Sequence, residues 1–266
     1  MSAPRRPLGL FLPGGGARGA WQSGVLSALD EAGLRFDAVF AYSVGALNGF
    51  VHWLGLRERM AGFWEEMTRG GVLRLSPRLG PLSVFSDEPL KRFLEALPPR
   101  APGGGSTLTV ASLNRFGGRP VYVTADGAEP ADFRAHLRAS CAIPSIFPPV
   151  RLTLDGRPAA LIDGGVPGAA PLDLAPLRAC AEVLVLDMNH PQELASDPLL
   201  PWARWELACL RSMERTNADA LAGLGPGPRV THFRPERPLD LSMLGFRPAA
   251  VAAAFERGRA EARRLL

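Results

Sequence analysis

A serine lies between an apolar run that is typical of a buried strand and a second run that is typical of a helix. Residues 38–40 lead into Ala41-Tyr42-Ser43-Val44-Gly45, and the helical stretch follows directly. A nucleophile elbow has this strand–turn–helix order and exposes a serine hydroxyl at the end of a parallel sheet. A serine at a helix start can also be an N-cap. The small neighbour Gly45 leaves room for a tight turn, but Ala41 departs from the G-x-S-x-G pattern. The local pattern alone therefore leaves both roles of Ser43 open.

Two further clusters follow strand-like runs. The run GGGARG at residues 14–19 comes after residues 8–12, and Asp163-Gly164-Gly165 comes after residues 159–162. Open α/β sheets bind ligands at the carboxyl ends of their strands. We therefore expect the serine, the glycines and the carboxylate to meet at one edge of a sheet.

Strand patterns alternate with helical patterns along the chain, which has 266 residues and is 47% hydrophobic. Such alternation indicates an α/β fold with three layers, in which helices cover both faces of a mostly parallel central sheet. We expect residues 1–266 to form one domain. Strands are predicted at residues 8–12, 39–41, 108–111, 121–124, 152–154, 159–162, 183–187 and 230–233. The strands at 152–154 and 159–162 flank Asp155-Gly156, which predicts a hairpin. Helices are predicted at residues 17–31, 44–54, 57–67, 86–97, 132–139, 199–221 and 248–266.

Charge and cysteine content narrow the possible partners. The 30 basic residues are interspersed with 26 acidic ones, so no stripe for nucleic acid is expected. The three cysteines show no metal-binding spacing and suggest reduced thiols in a cytoplasmic protein. The N-terminal residues lack a long apolar segment, and no run is long enough to cross a bilayer. Any membrane contact is therefore expected to be peripheral.

The glycine run admits two interpretations. Gly14, Gly16 and Gly19 match the G-x-G-x-x-G fingerprint of dinucleotide-binding proteins. That fingerprint requires an acidic residue at the end of the second strand, where this chain has Ser43, so we expect no nucleotide cofactor. Without Cβ atoms, the same glycines can instead direct their amides at an oxyanion. Arg18 could add positive charge there or anchor the loop to a carboxylate.

A serine nucleophile needs a base that accepts its proton. Histidine is the usual general base, and of the four histidines His190 is kept in reserve because it follows a predicted strand. Asp163 has a better setting, since Gly164 and Gly165 let the backbone and a substrate approach its carboxylate. An Asp-Gly pair is also a common turn, so both interpretations of Asp163 stay open from the residues alone.

Together, these motifs resemble the patatin-like phospholipase family, and so does the segment ASCAIPSIFPPV at residues 139–150. The resemblance covers about residues 8–187. It implies a Ser–Asp dyad in which Ser43 is the nucleophile and Asp163 is the base. It also implies an oxyanion hole formed by Gly14, Gly15, Gly16 and Arg18, with no metal or cofactor. One position departs from the family pattern: Ala41 stands where the elbow usually has glycine.

The resemblance implies a lipid acyl ester as substrate, such as a phospholipid or a lysophospholipid. A carboxylesterase for small soluble esters is the alternative, as is a catalytically weak member that binds lipid or a partner. The apolar segments 71–85 and 199–205 are candidates for a substrate mouth or lid. Trp202 and Trp205 would suit a membrane interface or the core.

Overall fold

The computed structural model describes residues 7–69, 74–75, 83–99, 105–166 and 171–266. Every strand that the sequence predicts is present, and the short pair β3–β4 is additional. The strands are β1 (Leu8–Leu12), β2 (Ala38–Tyr42), β3 (Arg74–Leu75), β4 (Phe85–Ser86), β5 (Thr107–Asn114), β6 (Arg119–Asp126), β7 (Val150–Leu154), β8 (Arg157–Asp163), β9 (Glu182–Leu186) and β10 (Arg229–Phe233).

The helices also follow the predictions, with shifts of about two residues at several ends. The long helix begins at Pro201 rather than at residue 199, because proline is favoured in the first helical turn. The helices are α1 (Gly19–Glu31), α2 (Val44–Trp53), α3 (Arg59–Arg69), α4 (Glu88–Ala96), α5 (Phe133–Ser140), α6 (Pro191–Leu194), α7 (Pro201–Ala222) and α8 (Pro248–Glu261), with short 3-10 turns at Gly16–Arg18, Ala175–Leu177 and Ala262–Arg264. Helix α6 was not predicted.

The central sheet is mixed. Its strand order is β10-β9-β1-β2-β5-β8-β7, and β6 pairs with β5. The five strands from β10 to β5 run parallel, whereas β6, β7 and β8 add antiparallel pairs. The predicted hairpin β7–β8 is confirmed, and both residues of its turn, Asp155 and Gly156, have positive φ as a type I′ turn requires.

Strand β5 brings two other strands together end to end. Strand β6 pairs along all of Thr107–Asn114, so β2 and β8 must share the opposite edge of β5. There Tyr42 of β2 pairs with Ala111, and Asp163 of β8 pairs with Ser112. The carboxyl ends of β2 and β8 therefore meet, because the two strands run in opposite directions along the same edge of β5.

Two apolar layers enclose the sheet, which confirms the three-layer α/β architecture. On one face, strand residues such as Leu10 and Val39 pack with residues of α1, α2 and α8. On the other face, residues such as Phe11 and Phe40 pack with α7 and with residues 172–180. The functional edge thus lies between two covered faces.

Helix α8 lies unusually close to α1. A Cβ atom on Gly258 would overlap the carbonyl oxygen of Trp21, and one on Gly24 would overlap that of Phe255. Glycine at both positions allows the two backbones to touch. Trp21 also donates from Nε1 to Glu261 Oε2 at 2.8 Å. The C-terminal helix is therefore tied to the helix that follows the glycine run.

Candidate active site

Ser43 occupies a strained turn between β2 and α2. Its φ of 54° lies in the left-handed region, which few non-glycine residues adopt. Ser43 is the N-cap residue of α2, yet its side chain makes no capping hydrogen bond. Its backbone amide donates to Ser140 Oγ at 2.8 Å, and that hydroxyl donates to the carbonyl of Ala111 at 2.6 Å. The Ser43 hydroxyl is thus not used for capping, and it lies close enough to the Asp163 carboxyl group to lower the pKa of that group.

The alanine at position 41 is compatible with this turn. Ala41 is fully buried in β2, between Leu12 of β1 and Val110 of β5. The parallel register continues through it to Tyr42 without a break. The methyl group therefore does not prevent the elbow from forming.

The glycine loop, Gly14 to Gly16, lies directly beside Ser43. A Cβ atom on Gly14 would be 2.8 Å from Ser43 Cβ and 3.3 Å from its Oγ. In the described part of the chain, no group accepts a hydrogen bond from the amides of Gly15 and Gly16. The loop continues into α1, whose N-terminus adds a partial positive charge. These donors suit an anion that develops next to Ser43.

Arg18 is engaged with a carboxylate. Its NH1 and NH2 atoms bond Glu193 at 2.7 and 2.6 Å, and NH2 also donates to the carbonyl of Met188 at 2.6 Å. The side chain is 1% exposed. The sequence allowed Arg18 either to add positive charge at an oxyanion or to anchor the loop to a carboxylate. This geometry favours the anchor, because Arg18 ties the glycine loop to the segment after β9.

Asp163 ends β8 and is buried. Burial raises its pKa from 3.8 to about 6, while the Ser43 hydroxyl and the Gly165 amide act in the opposite direction. Its Oδ1 accepts from Gly165 N at 2.8 Å, as in an Asp-Gly turn. Its Oδ2 is buried and has no hydrogen-bond partner among the described residues. The carboxylate therefore stabilises the turn with one oxygen and keeps the other available near Ser43.

Tyr42 braces the two sides of this site, a role that the sequence did not reveal. A Cβ atom on Gly14 or on Gly165 would lie 2.9 or 2.6 Å from ring carbon Cε2 of Tyr42. The phenol donates to Asn217 Oδ1 at 2.8 Å, and the Gly14 amide is directed at the phenol oxygen. Burial raises the pKa of Tyr42 far above its usual range, so the phenol stays protonated. Tyr42 thereby fixes the spacing between the glycine loop and the turn after Asp163.

A second buried carboxylate lies at the end of β9. Burial and the charge of Glu214 raise the pKa of Asp187, although Arg234 bonds its Oδ2 at 2.8 Å. Asn189 donates its amide to Asp187 Oδ1 at 3.0 Å. Asp187 is thus committed to an ion pair, unlike Asp163.

The histidines have other environments. His52 contacts Asp30 at 3.0 Å, and His190, the reserve base, accepts from Gln192 N as the N-cap of α6. His136 is buried on α5, and His232 lies on β10. Across the ranges described, no cluster of three or more His, Cys, Asp or Glu side chains could hold a metal ion. Nor does any helix there have the length and apolarity to cross a bilayer.

Of the two segments proposed for a substrate mouth, the structure describes all of 199–205, whereas most of 71–85 lies outside the described residues. In segment 199–205, Leu199, Leu200, Trp202 and Trp205 are exposed, which places the two tryptophans outside the core. Trp202 also lines a cavity with Arg18 and Glu193, next to the anchor of the glycine loop.

The sequence of the chain is similar to those of several known proteins. The family model described as patatin-like phospholipase matches residues 10–176. An uncharacterized NTE family protein of Mycobacterium tuberculosis is 31% identical over 182 residues, which are 66% of this chain and 46% of that protein. The neuropathy target esterase sws of Drosophila melanogaster is 27% identical over 200 residues, 70% of this chain and 13% of that protein.

A shorter match has a higher identity. The lysophospholipase nte1 of Aspergillus terreus is 51% identical over 47 residues, which are 18% of this chain and 3% of that protein. The chain thus corresponds to less than half of the length of each of these relatives.

Proposed function

The chain belongs to the patatin-like phospholipase family, and we propose that it is a serine acyl hydrolase that cleaves lipid acyl esters. One observation carries the proposal: a buried carboxyl group with its pKa raised to about 6 lies beside a serine in a strained elbow. A carboxylate becomes a better proton acceptor as its pKa approaches the working pH. Asp163 can therefore act as base toward Ser43.

In the proposed acylation step, Ser43 Oγ attacks the ester carbonyl carbon while Asp163 accepts the hydroxyl proton. The carbonyl oxygen becomes an oxyanion, which the free amides of Gly15 and Gly16 stabilise. Gly14 holds the loop in place through Tyr42. When the intermediate collapses, the bond to the alcohol oxygen breaks, and Asp163 returns the proton to the leaving alcohol.

In the proposed deacylation step, water attacks the acyl-enzyme and Asp163 takes one of its protons. The bond between the acyl carbon and Ser43 Oγ breaks, the proton returns to Ser43, and the fatty acid leaves. No histidine is needed, because one carboxyl group serves as base and acid in turn.

The names of the relatives support a lipid substrate for this chain. They include an esterase and a lysophospholipase, and both enzyme classes act on carboxylic esters. We propose a phospholipid or lysophospholipid as substrate. Higher kcat/KM on lysophospholipid than on a short soluble ester would support it, whereas activity restricted to the soluble ester would indicate a carboxylesterase.

Labelling with a fluorophosphonate tests the nucleophile. We expect the wild-type protein to gain the mass of one probe on the peptide that contains Ser43, and Ser43→Ala to gain none. Ser145→Ala is a matched control, since Ser145 also has positive φ (67°) but is exposed to solvent. It should label at the wild-type rate. A folded wild-type protein that stays unlabelled would contradict the proposal.

The pH dependence of the reaction tests the base. Asp163 must be ionised to accept a proton, so kcat/KM should rise with pH and level off above about 6. Below that value, each pH unit should reduce kcat/KM about tenfold. A soluble monomeric ester is the substrate of choice, because lipid ionisation then cannot contribute. A half-maximal point near pH 4 would show that burial does not tune Asp163.

A further inference from the structure

Two hairpins extend beyond the edge of the sheet that carries Ser43. Strand β5 continues past Ser112, which pairs with Asp163, to the β5–β6 turn at residues 115–118. Strand β8 starts at Arg157, six residues before Asp163, so its beginning projects up to about 20 Å beyond that residue. The hairpins are joined, since Arg115 N donates to the Ala160 carbonyl at 2.8 Å.

The projecting hairpins carry four exposed arginines. None of them makes an ion pair or a side-chain hydrogen bond with any residue that the structure describes. Most other arginines near the site are paired, as Arg18 and Arg234 are. The four are Arg115, Arg119, Arg151 and Arg157. Their charge is therefore available to an external anion.

Apolar side chains lie on the same side of the molecule. Phe116, at the tip of the β5–β6 hairpin, is 70% exposed, and Leu199 before α7 is 94% exposed. Helix α7 begins after the carboxyl end of β9, and its exposed Trp202 lines a cavity with Arg18. The sheet order puts the hairpins at one end and β9 at the other, with β2 between them. The two patches thus flank Ser43.

From this arrangement we infer that the edge carrying Ser43 docks on an anionic lipid bilayer, with the arginines on the headgroups and the apolar side chains in the interface. We call this edge the docking edge, defined by Arg115, Phe116, Arg119, Arg151, Arg157 and the exposed residues of segment 199–205. Arginine near an anionic leaflet is attracted to it, and tryptophan favours the boundary between water and hydrocarbon. The inference rests on the proposed function, because a lipid ester would reach Ser43 from this side.

Charge reversal at the hairpin tests the docking edge. We expect Arg115→Glu with Arg119→Glu to bind phosphatidylcholine vesicles that contain phosphatidylglycerol about tenfold or more weakly than wild type, in a sedimentation assay. Vesicles of phosphatidylcholine alone should bind both proteins weakly. The matched control is Arg57→Glu with Arg59→Glu. These two exposed arginines lie just beyond the end of α2 that is farther from Ser43. Arg57 also lines a cavity with Asp37, at the amino ends of the strands.

The control separates location from net charge, because both double variants change the charge by the same amount. Equal loss of binding in the two variants would overturn the inference, and so would unchanged binding in the hairpin variant. Unchanged binding is also the result expected if the arginines serve an acidic protein instead. A selective loss in the hairpin variant would support the bilayer.

Two further measurements complete the test. Trp202 and Trp205 are exposed and the other three tryptophans are buried. Quenching of tryptophan fluorescence by acrylamide should therefore fall when vesicles are added. Unchanged quenching would overturn the docking of segment 199–205. Hydrolysis of a soluble ester should be equal in wild type and the hairpin variant. A protein that binds vesicles through the hairpin but hydrolyses no ester would refute the proposed function and leave the docking edge intact.

Discussion

Replacing Asp163 with asparagine is expected to lower kcat/KM for a soluble ester by about 10³-fold or more, because the variant has no group to accept the Ser43 proton. The substitution keeps the side-chain volume and an oxygen that can accept from Gly165. Steady-state kinetics should therefore show the loss in kcat, while circular dichroism and the melting temperature show an intact fold.

Asp187→Asn is the matched control for this variant. Asp187 is also a buried aspartate at a strand end with a raised pKa, but its carboxylate bonds Arg234. Provided that the control variant folds, its kcat should remain within about tenfold of wild type. Retained activity in Asp163→Asn, or an equal loss in both variants, would rule out Asp163 as the specific base.

Replacing Gly258 with alanine is expected to destabilise the protein. The new Cβ atom would overlap the carbonyl oxygen of Trp21, so α8 must move away from α1. Overpacking of this kind costs about 1–3 kcal/mol, which corresponds to a fall of several degrees in the melting temperature. Thermal unfolding followed by circular dichroism measures the change.

Gly62→Ala is expected to change the melting temperature in the opposite direction. Gly62 lies on α3 and is exposed, and a Cβ atom added to it would meet no other atom within 4 Å. Alanine in an exposed helix is more favourable than glycine by about 1 kcal/mol. We therefore expect Gly62→Ala to melt slightly higher than wild type and Gly258→Ala to melt lower. A melting temperature of Gly258→Ala at or above that of wild type would contradict the close contact of α1 with α8.

The sequence was sufficient for the order of most elements, because the apolar runs and glycine turns are local signals, but it did not predict α6 or the pair β3–β4. The strand before Ser43, the glycine loop and the Asp155-Gly156 hairpin were each predicted from a few adjacent residues. The family was recognised from three short motifs and the segment at residues 139–150, and the match over residues 10–176 confirms it. That residues 1–266 form one domain stays a prediction.

What the sequence could not provide are the long-range pairings. An apolar run carries no mark of its direction, so the antiparallel β8 and its meeting with β2 on one edge of β5 were not predictable. Ser140 lies in a motif that was recognised, but its bond to Ser43 N depends on the fold. The partner of Arg18, Glu193, is 175 residues away in the chain, which left its two alternatives undecided.

The burial of Asp163 has opposite consequences for the stability of the protein and for its proposed catalysis. Because its pKa is about 6 in the folded protein and 3.8 in the reference state, the folded chain holds this proton more tightly than the unfolded chain. The free energy of unfolding therefore falls as pH rises from about 4 to 6, by about 3 kcal/mol for this group if the unfolded chain has the reference pKa. Asp187 acts in the same direction. The contribution of these two carboxyl groups to the free energy of unfolding is thus greatest below about pH 4, where the base is protonated, and it is lost in the pH range where Asp163 can work.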